Sequence, residues 1–245
     1  MAQGRDRKTV VLLSMGYDSL SVWHQLGRPA ALHFDLGVAY TGAERLRYER
    51  ARRDFPQLLP VHDLSWLGER EREDAWIPLR NLVMAVQAAA LGFDDIVIAA
   101  PSDWAPDKRL MFTWSTSLAM RIAQPGRGYR VRRPFSRWTK ARLIEATPPE
   151  LLEQFAYSCY RGSEPACGTC PACGRAIIGH LAAGREPPTP VPRGLSFRAF
   201  TDLRRGERSD SRTREVATMR PGEFVYLPGR GLELLRAWRA YCARI

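Results

Sequence analysis

The sequence predicts a doubly wound α/β fold, a five-stranded parallel sheet with a four-cysteine loop stapled by zinc and a small C-terminal appendage. Three observations predict it. Short β-rich runs alternate with helical segments over the first two thirds of the chain. The first run opens into a hydroxyl-and-glycine turn, Ser14-Met15-Gly16-Tyr17-Asp18-Ser19. Four cysteines, Cys159, Cys167, Cys170 and Cys173, are crowded into one short segment.

The expected strands are 9–14, 30–35, 58–63, 95–100 and 129–134, and the expected helices 18–26, 42–54, 79–92, 109–123, 139–146 and 173–183. In a sheet of this kind ligands bind beyond the carboxyl ends of the strands, where the strand order reverses. Thr9-Val10-Val11-Leu12-Leu13 leads at that end into Ser14–Ser19, where N–H groups released at a helix start and the hydroxyls of Ser14 and Ser19 can cradle a pyrophosphate. The run lacks the Gly-Lys-Ser/Thr ending of a Walker loop and the three glycines of a dinucleotide fingerprint. An ordinary capped strand-to-helix turn remains the bland alternative. Asp35 leaves the second strand at the same end, as a ligand contact or as a turn residue.

Further along, Pro78-Leu79-Arg80-Asn81 starts an apolar helix, with Asn81 a candidate ligand contact or cap. Pro106-Asp107-Lys108-Arg109 and Trp138-Thr139-Lys140 precede two more. The cysteines follow as Cys-x7-Cys-x2-Cys-x2-Cys, a spacing that lets four thiolates converge on one tetrahedral zinc ion. A site closed by four protein ligands leaves no position for substrate, so its expected role is structural. Cys242 stands apart as an expected core thiol. Prolines at 187, 188, 190 and 192 mark 184–194 as a linker between a catalytic domain, 1–183, and a basic appendage, 195–245.

A length of 245 residues and a hydrophobic content of 45% allow one main domain with room for an appended segment. No stretch reaches the ~18 uncharged apolar residues of a membrane span, and Met1–Lys8 is polar, so the expectation is a cytoplasmic protein without a membrane partner. The net charge is +11, and all but three of the 37 basic residues are arginine. That balance suits an anionic partner such as ATP or a nucleic acid, and equally a generally basic surface.

The order of the Ser14–Ser19 loop, Phe34-Asp35-Leu36-Gly37, Pro78-Leu79-Arg80-Asn81, Pro106-Asp107, Lys140 and Ser158-Cys159-Tyr160 leading into the cysteine cluster resembles the 7-cyano-7-deazaguanine synthase family over residues 9–183. The loop itself is similar to the PP-loop of ATP pyrophosphatases, Ser-Gly-Gly-x-Asp-Ser. The resemblance implies an adenine-nucleotide alpha-hydrolase-like fold and a ligase that adenylates the carboxylate of 7-carboxy-7-deazaguanine with ATP and Mg2+. It releases pyrophosphate, lets ammonia form an amide, and by a second adenylation yields the nitrile. By the same resemblance Ser14, Met15, Gly16, Tyr17, Asp18, Ser19, Asp35, Arg80 and Asn81 would contact the nucleotide. Asp18, Lys140 and Asp107 would be catalytic, Asp107 beside the deazaguanine, and the chain would be a homodimer.

Two departures stand out. The family's paired glycines are Met15-Gly16 here, which suggests a negative φ at Met15 or a narrowed approach to phosphate. The Gln-Arg-His that usually follows in the family is Val38-Ala39-Tyr40, which removes a titratable group and suggests an altered acceptor step. Three readings follow: an amide- or nitrile-forming enzyme, a related ligase joining deazaguanine to an amine of a partner protein in antiviral defence, and a noncatalytic nucleotide or RNA binder.

Overall fold

The computed structural model of the chain describes residues 7–72, 75–101, 109–168 and 170–189. Strand β1 (Thr9–Leu12) sends alternate side chains to opposite faces: Val10 and Leu12 enter one hydrophobic core, Val11 and Leu13 the other. Only a strand covered on both faces tolerates such an unbroken apolar run. β2 (Ala31–Leu32) and β5 (Asp95–Val97) flank β1, and β6 (Arg130–Arg132) completes a four-stranded sheet in the order β2-β1-β5-β6. Every pairing is parallel. The chain order reverses on either side of β1, so the crevice beyond its carboxyl end is the switch point.

The sequence leads one to expect a single five-stranded sheet, and the structure divides it. The run 30–35 breaks at His33 into β2 and β3 (Phe34–Asp35), and β3 pairs with β4 (His62–Asp63) as a separate two-stranded sheet. Ala31 bridges Leu58, then Phe34 pairs with His62, so the outer run carries one extra residue between the two contacts. Pro60 lies in that interval and has no N–H for a ladder, which is where a bulge costs least.

Helices α1 (Tyr17–Gln25), α2 (Thr41–Asp54), α5 (Lys140–Glu145) and α6 (Pro149–Phe155) supply the core that receives Val11 and Leu13. Helices α3 (Arg80–Ala90) and α4 (Leu110–Ala123) pack with the cysteine segment on the other core, while α7 (Pro171–Ala182) contacts α5. Helix α6 was not expected from the sequence. Pro148-Pro149 reads as a breaker, yet Pro149 sits in the first turn, where its missing N–H costs nothing. No helix among the described residues is long and apolar enough to cross a membrane. The expected linker is described only to Thr189, and the appendage 195–245 lies outside the described residues, as does Cys242.

At the amino ends of β1 and β5, Asp95 is buried and accepts from Nε of Arg132, the last residue of β6, at 2.8 and 2.9 Å and from Thr9 Oγ1 at 3.0 Å. This ties β1, β5 and β6 together. Breaking a buried pair leaves an uncompensated charge, and Arg132 here retains partial access to water. Asp95→Ala is expected to cost about 2–3 kcal/mol of stability by chemical denaturation, whereas an unchanged midpoint would show the pair to be dispensable.

Candidate functional site

The crevice beyond β1 is a cavity of about 480 Å³. Its floor is the turn from Leu12 and Leu13 through Ser14 and Gly16 into the first residues of α1. Ser14 Oγ lies 3.1 Å from Ser19 Oγ, and Ser19 Oγ donates to Gly16 O at 3.1 Å, so the two hydroxyls face one point above the helix start. No side chain caps the N-terminus of α1. Its first N–H groups are therefore left for a ligand, and the helix dipole favours an anion there.

Met15 departs from the expectation of a negative φ. Its φ is +57°, a conformation that favours glycine, and its side chain is fully buried in the core beneath the loop. It does not reach into the cavity. Gly16, by contrast, has an ordinary φ of −69°, and a Cβ there would come no nearer than 3.4 Å to Ser14 Oγ. The backbone at Gly16 therefore tolerates a side chain. Tyr157 N–H donates to Met15 O at 2.8 Å and joins the loop to the segment that carries the cysteines.

Asp18 in the first turn of α1 pairs with Lys140 at the start of α5, and both line the cavity. Thr139 caps α5, its Oγ1 accepting from Arg142 N at 3.2 Å. The lysine stem runs over Gly179 of α7, where a Cβ would come within 2.8 Å of Lys140 Cδ. Tyr17 closes the same side, its ring edge-on to His180 at 4.7 Å, and burial raises its hydroxyl pKa.

The opposite wall has different chemistry. Arg80 and Asn81 line it from the first turn of α3, with Tyr40, Glu44, Trp76, Tyr160 and Arg175 around them. Asn81 is buried inside the helix and is not its cap. That position is Leu79, which adopts a φ of +62° although its side chain is exposed. Strain at a helix start that carries two cavity residues is of the kind found at functional sites. Burial pushes the Glu44 carboxyl up to about 8, against the opposing pull of the Arg80 guanidinium. The Tyr40 and Tyr160 rings lie 5.5 Å apart, and Arg175 donates to Tyr160 Oη.

The four cysteine sulfurs lie within 4.8 Å of one another, and Cys167 and Cys173 are 3.9 Å apart. A tetrahedral zinc ion with bonds of ~2.3 Å sets its sulfurs ~3.8 Å apart. The donor set fits such an ion. Backbone N–H groups already point at the sulfurs, Cys167 N to Cys159 Sγ at 3.4 Å, Cys170 N to Cys167 Sγ at 3.3 Å and Tyr160 N to Cys170 Sγ at 3.4 Å. A hydrogen bond from the Cys173 thiol holds Cys170 well below the usual thiol range, and giving that bond pushes Cys173 up. Gly162, with a φ of +66°, lets the cysteine segment close on Ala39, whose carbonyl would meet a Cβ at 2.1 Å.

The structure thus brings Ser14, Gly16, Tyr17, Asp18, Ser19, Arg80, Asn81 and Lys140 around one cavity. It leaves Asp35 outside: Asp35 Oδ1 accepts from Gly37 N at 3.0 Å, and the other oxygen faces Arg45 at 3.5 Å, the geometry of a turn. Asp107 lies outside the described residues. Glu44 was missed by sequence reasoning, because it stands among arginines on a polar helix and reads as solvated. Tyr157 and Arg175 carried no signal of their own.

This geometry coincides with a known pattern. The model of the family described as "Queuosine biosynthesis protein QueC" matches residues 57–182, which covers the start of α3, Lys140 and all four clustered cysteines. The chain belongs to the QueC family. It is 25% identical over 221 residues to a 7-cyano-7-deazaguanine synthase of Pseudomonas aeruginosa, covering 75% of this chain and 98% of that one. Against the 7-cyano-7-deazaguanine synthase of Thermoplasma acidophilum the identity is 28% over 221 residues, 74% of this chain and 91% of the other. A "7-cyano-7-deazaguanine synthase 2" of Desulfitobacterium hafniense is 26% identical over 219 residues, covering 74% and 92%.

Within this QueC chain the left-handed methionine can be tested directly. Met15→Gly would relieve backbone strain of about 1–2 kcal/mol but remove a fully buried side chain whose loss costs about 2–5 kcal/mol. Packing outweighs strain. The variant is expected to melt below the wild type, and an equal or higher melting temperature would reverse that ranking.

Proposed function

We propose that the chain uses ATP and Mg2+ to adenylate the carboxylate of 7-carboxy-7-deazaguanine or a close relative and transfers the acyl group to an amine. The observation that carries this reading is the single cavity in which the Ser14–Ser19 loop and the Asp18–Lys140 pair face Arg80 and Asn81. The names of the QueC relatives supply the substrate class.

In this reading the free N–H groups of α1 and the hydroxyls of Ser14 and Ser19 hold the β,γ-phosphates that leave as pyrophosphate. Asp18 would hold a Mg2+ ion, which would supply the charge that neutralises them. Lys140 then moves from Asp18 to the α-phosphate, where negative charge gathers as the substrate carboxylate attacks. Asp107 is retained as a proposed contact to the heterocycle. Zinc at Cys159, Cys167, Cys170 and Cys173 staples the segment that forms the cavity wall at Ser158 and Tyr160 and takes no part in the reaction. A homodimer is carried over from the family.

The acceptor step has diverged in this proposal. Val38 and Tyr40 fill family positions of polar residues with side chains buried in the core. Adenylation survives such a change better than the second activation that turns amide into nitrile. A partner-protein amine as the acceptor is a second reading resting on the same two residues.

Incubation with Mg-ATP, 7-carboxy-7-deazaguanine and ammonium, followed by mass spectrometry, is expected to give AMP, pyrophosphate and more amide than nitrile. Asp18→Asn should suppress AMP release while leaving the protein folded. Efficient conversion to nitrile would restore the ordinary synthase reading, and no acid-dependent AMP would defeat the proposal. Metal analysis is expected to find one zinc per chain, retained in Cys242→Ser and lost with folding stability in Cys159→Ser. A zinc-free, fully stable wild type would remove zinc from the account.

A further inference from the structure

The cavity has a phosphate end, built from α1 and Lys140, and an end built from Tyr40, Glu44, Arg80 and Tyr160 that the proposed phosphate chemistry does not use. Among the described residues no hydrogen bond or ion pair within 4 Å reaches the Glu44 carboxyl. It is half-buried in the cavity wall, and Arg80 is near enough to favour its charge. An ionised carboxylate in a cavity wall with no partner among the described residues can accept two hydrogen bonds from a ligand that brings two donors. Tyr40 and Tyr160 place aromatic surface beside it, as a planar ligand requires.

Guanine-type heterocycles present two adjacent donors on one edge, the ring N1–H and the 2-amino group, and a carboxylate accepts both at once. An adenine edge offers one donor next to a lone pair, which the carboxylate repels. Resting on the deazaguanine reading above, we propose that Glu44 is the specificity-determining residue for the donor edge of the guanine-type base and excludes the adenine of ATP from that end of the cavity. Arg80 favours the ionised carboxylate against the burial that opposes it, the two N–H donors of the base add to that pull, and Tyr40 and Tyr160 border the ring. The base thereby lies at the end of the cavity remote from the triphosphate.

Replacement by glutamine removes a carboxyl whose ionisation burial already opposes, so Glu44→Gln keeps the packing and is expected to fold. The test is exchange of labelled pyrophosphate into ATP by the full chain, driven by 7-carboxy-7-deazaguanine or by the same acid lacking its 2-amino group. Wild type is expected to favour the guanine-type acid by at least about tenfold in kcat/KM, since a site built around a polar contact rejects an analogue that lacks it. Glu44→Gln should lose about tenfold toward that acid, bring the two acids within about threefold of each other, and leave the KM for ATP unchanged. Unaltered selectivity in Glu44→Gln, or selectivity lost in Asp107→Asn instead, would overturn the assignment. Calorimetry with 7-deazaguanine alone separates this from the proposed reaction. Binding weakened by Glu44→Gln upholds the role of Glu44 even where neither acid supports exchange, an outcome that defeats only the adenylation reading; equal binding by both proteins overturns it.

Discussion

The site depends on one turn, in which Met15 takes a left-handed conformation so that β1 can stop and α1 can begin with its N–H groups uncovered. A methionine does not adopt that φ for its own sake. Two things hold it there: its side chain fills the core between α1 and the sheet, and its carbonyl accepts the Tyr157 N–H. Because Tyr157 leads directly into Cys159, the shape of the Ser14–Ser19 loop and the closure of the cysteine segment are mechanically joined. Anything that tightens the cysteines, a bound metal foremost, also braces the loop.

The Asp18–Lys140 pair belongs to a different economy. Both side chains are partly exposed, and an ion pair of that kind contributes little to stability. Lysine at the first turn of α5 also faces the positive end of a helix dipole, an unfavourable place for a cation. A residue that violates local preference and is held by a single carboxylate at a cavity wall is placed for something other than folding. In the proposed reaction an incoming phosphate would offer Lys140 a second partner, and the exchange would free Asp18 for a metal ion.

Much of this was legible in the sequence, for identifiable reasons. The loop, the helix starts and the cysteine spacing are local patterns, and local patterns survive translation into three dimensions. The broken sheet was not legible, because the one-residue slip beside Pro60 depends on how two distant runs meet. The backbone of the loop was not legible either: a negative φ was expected at Met15, and the structure gives +57° because the side chain packs into the core beneath the loop. At Asp35 the sequence left two readings open. An acidic residue at a strand end suits a turn and a ligand equally, and only the bond from Gly37 N decides for the turn.

Glu44 escaped notice because composition argues against it. Helix α2 carries five arginines and is the most polar of the helices, so an acidic residue in its first turn reads as one more solvated charge. Its position is decided instead by the loop before it, where Val38 and Tyr40 are drawn into the core and pull the start of the helix against the cavity. The same two residues that remove polar groups from the family pattern thus deliver a carboxylate to the site. On the proposed reading, divergence in this chain is a relocation of polar function and not its loss: the end at Ser14–Ser19 keeps its hydroxyls and the Asp18–Lys140 pair, while the far wall carries Glu44 and Arg80 in place of the family's polar residues.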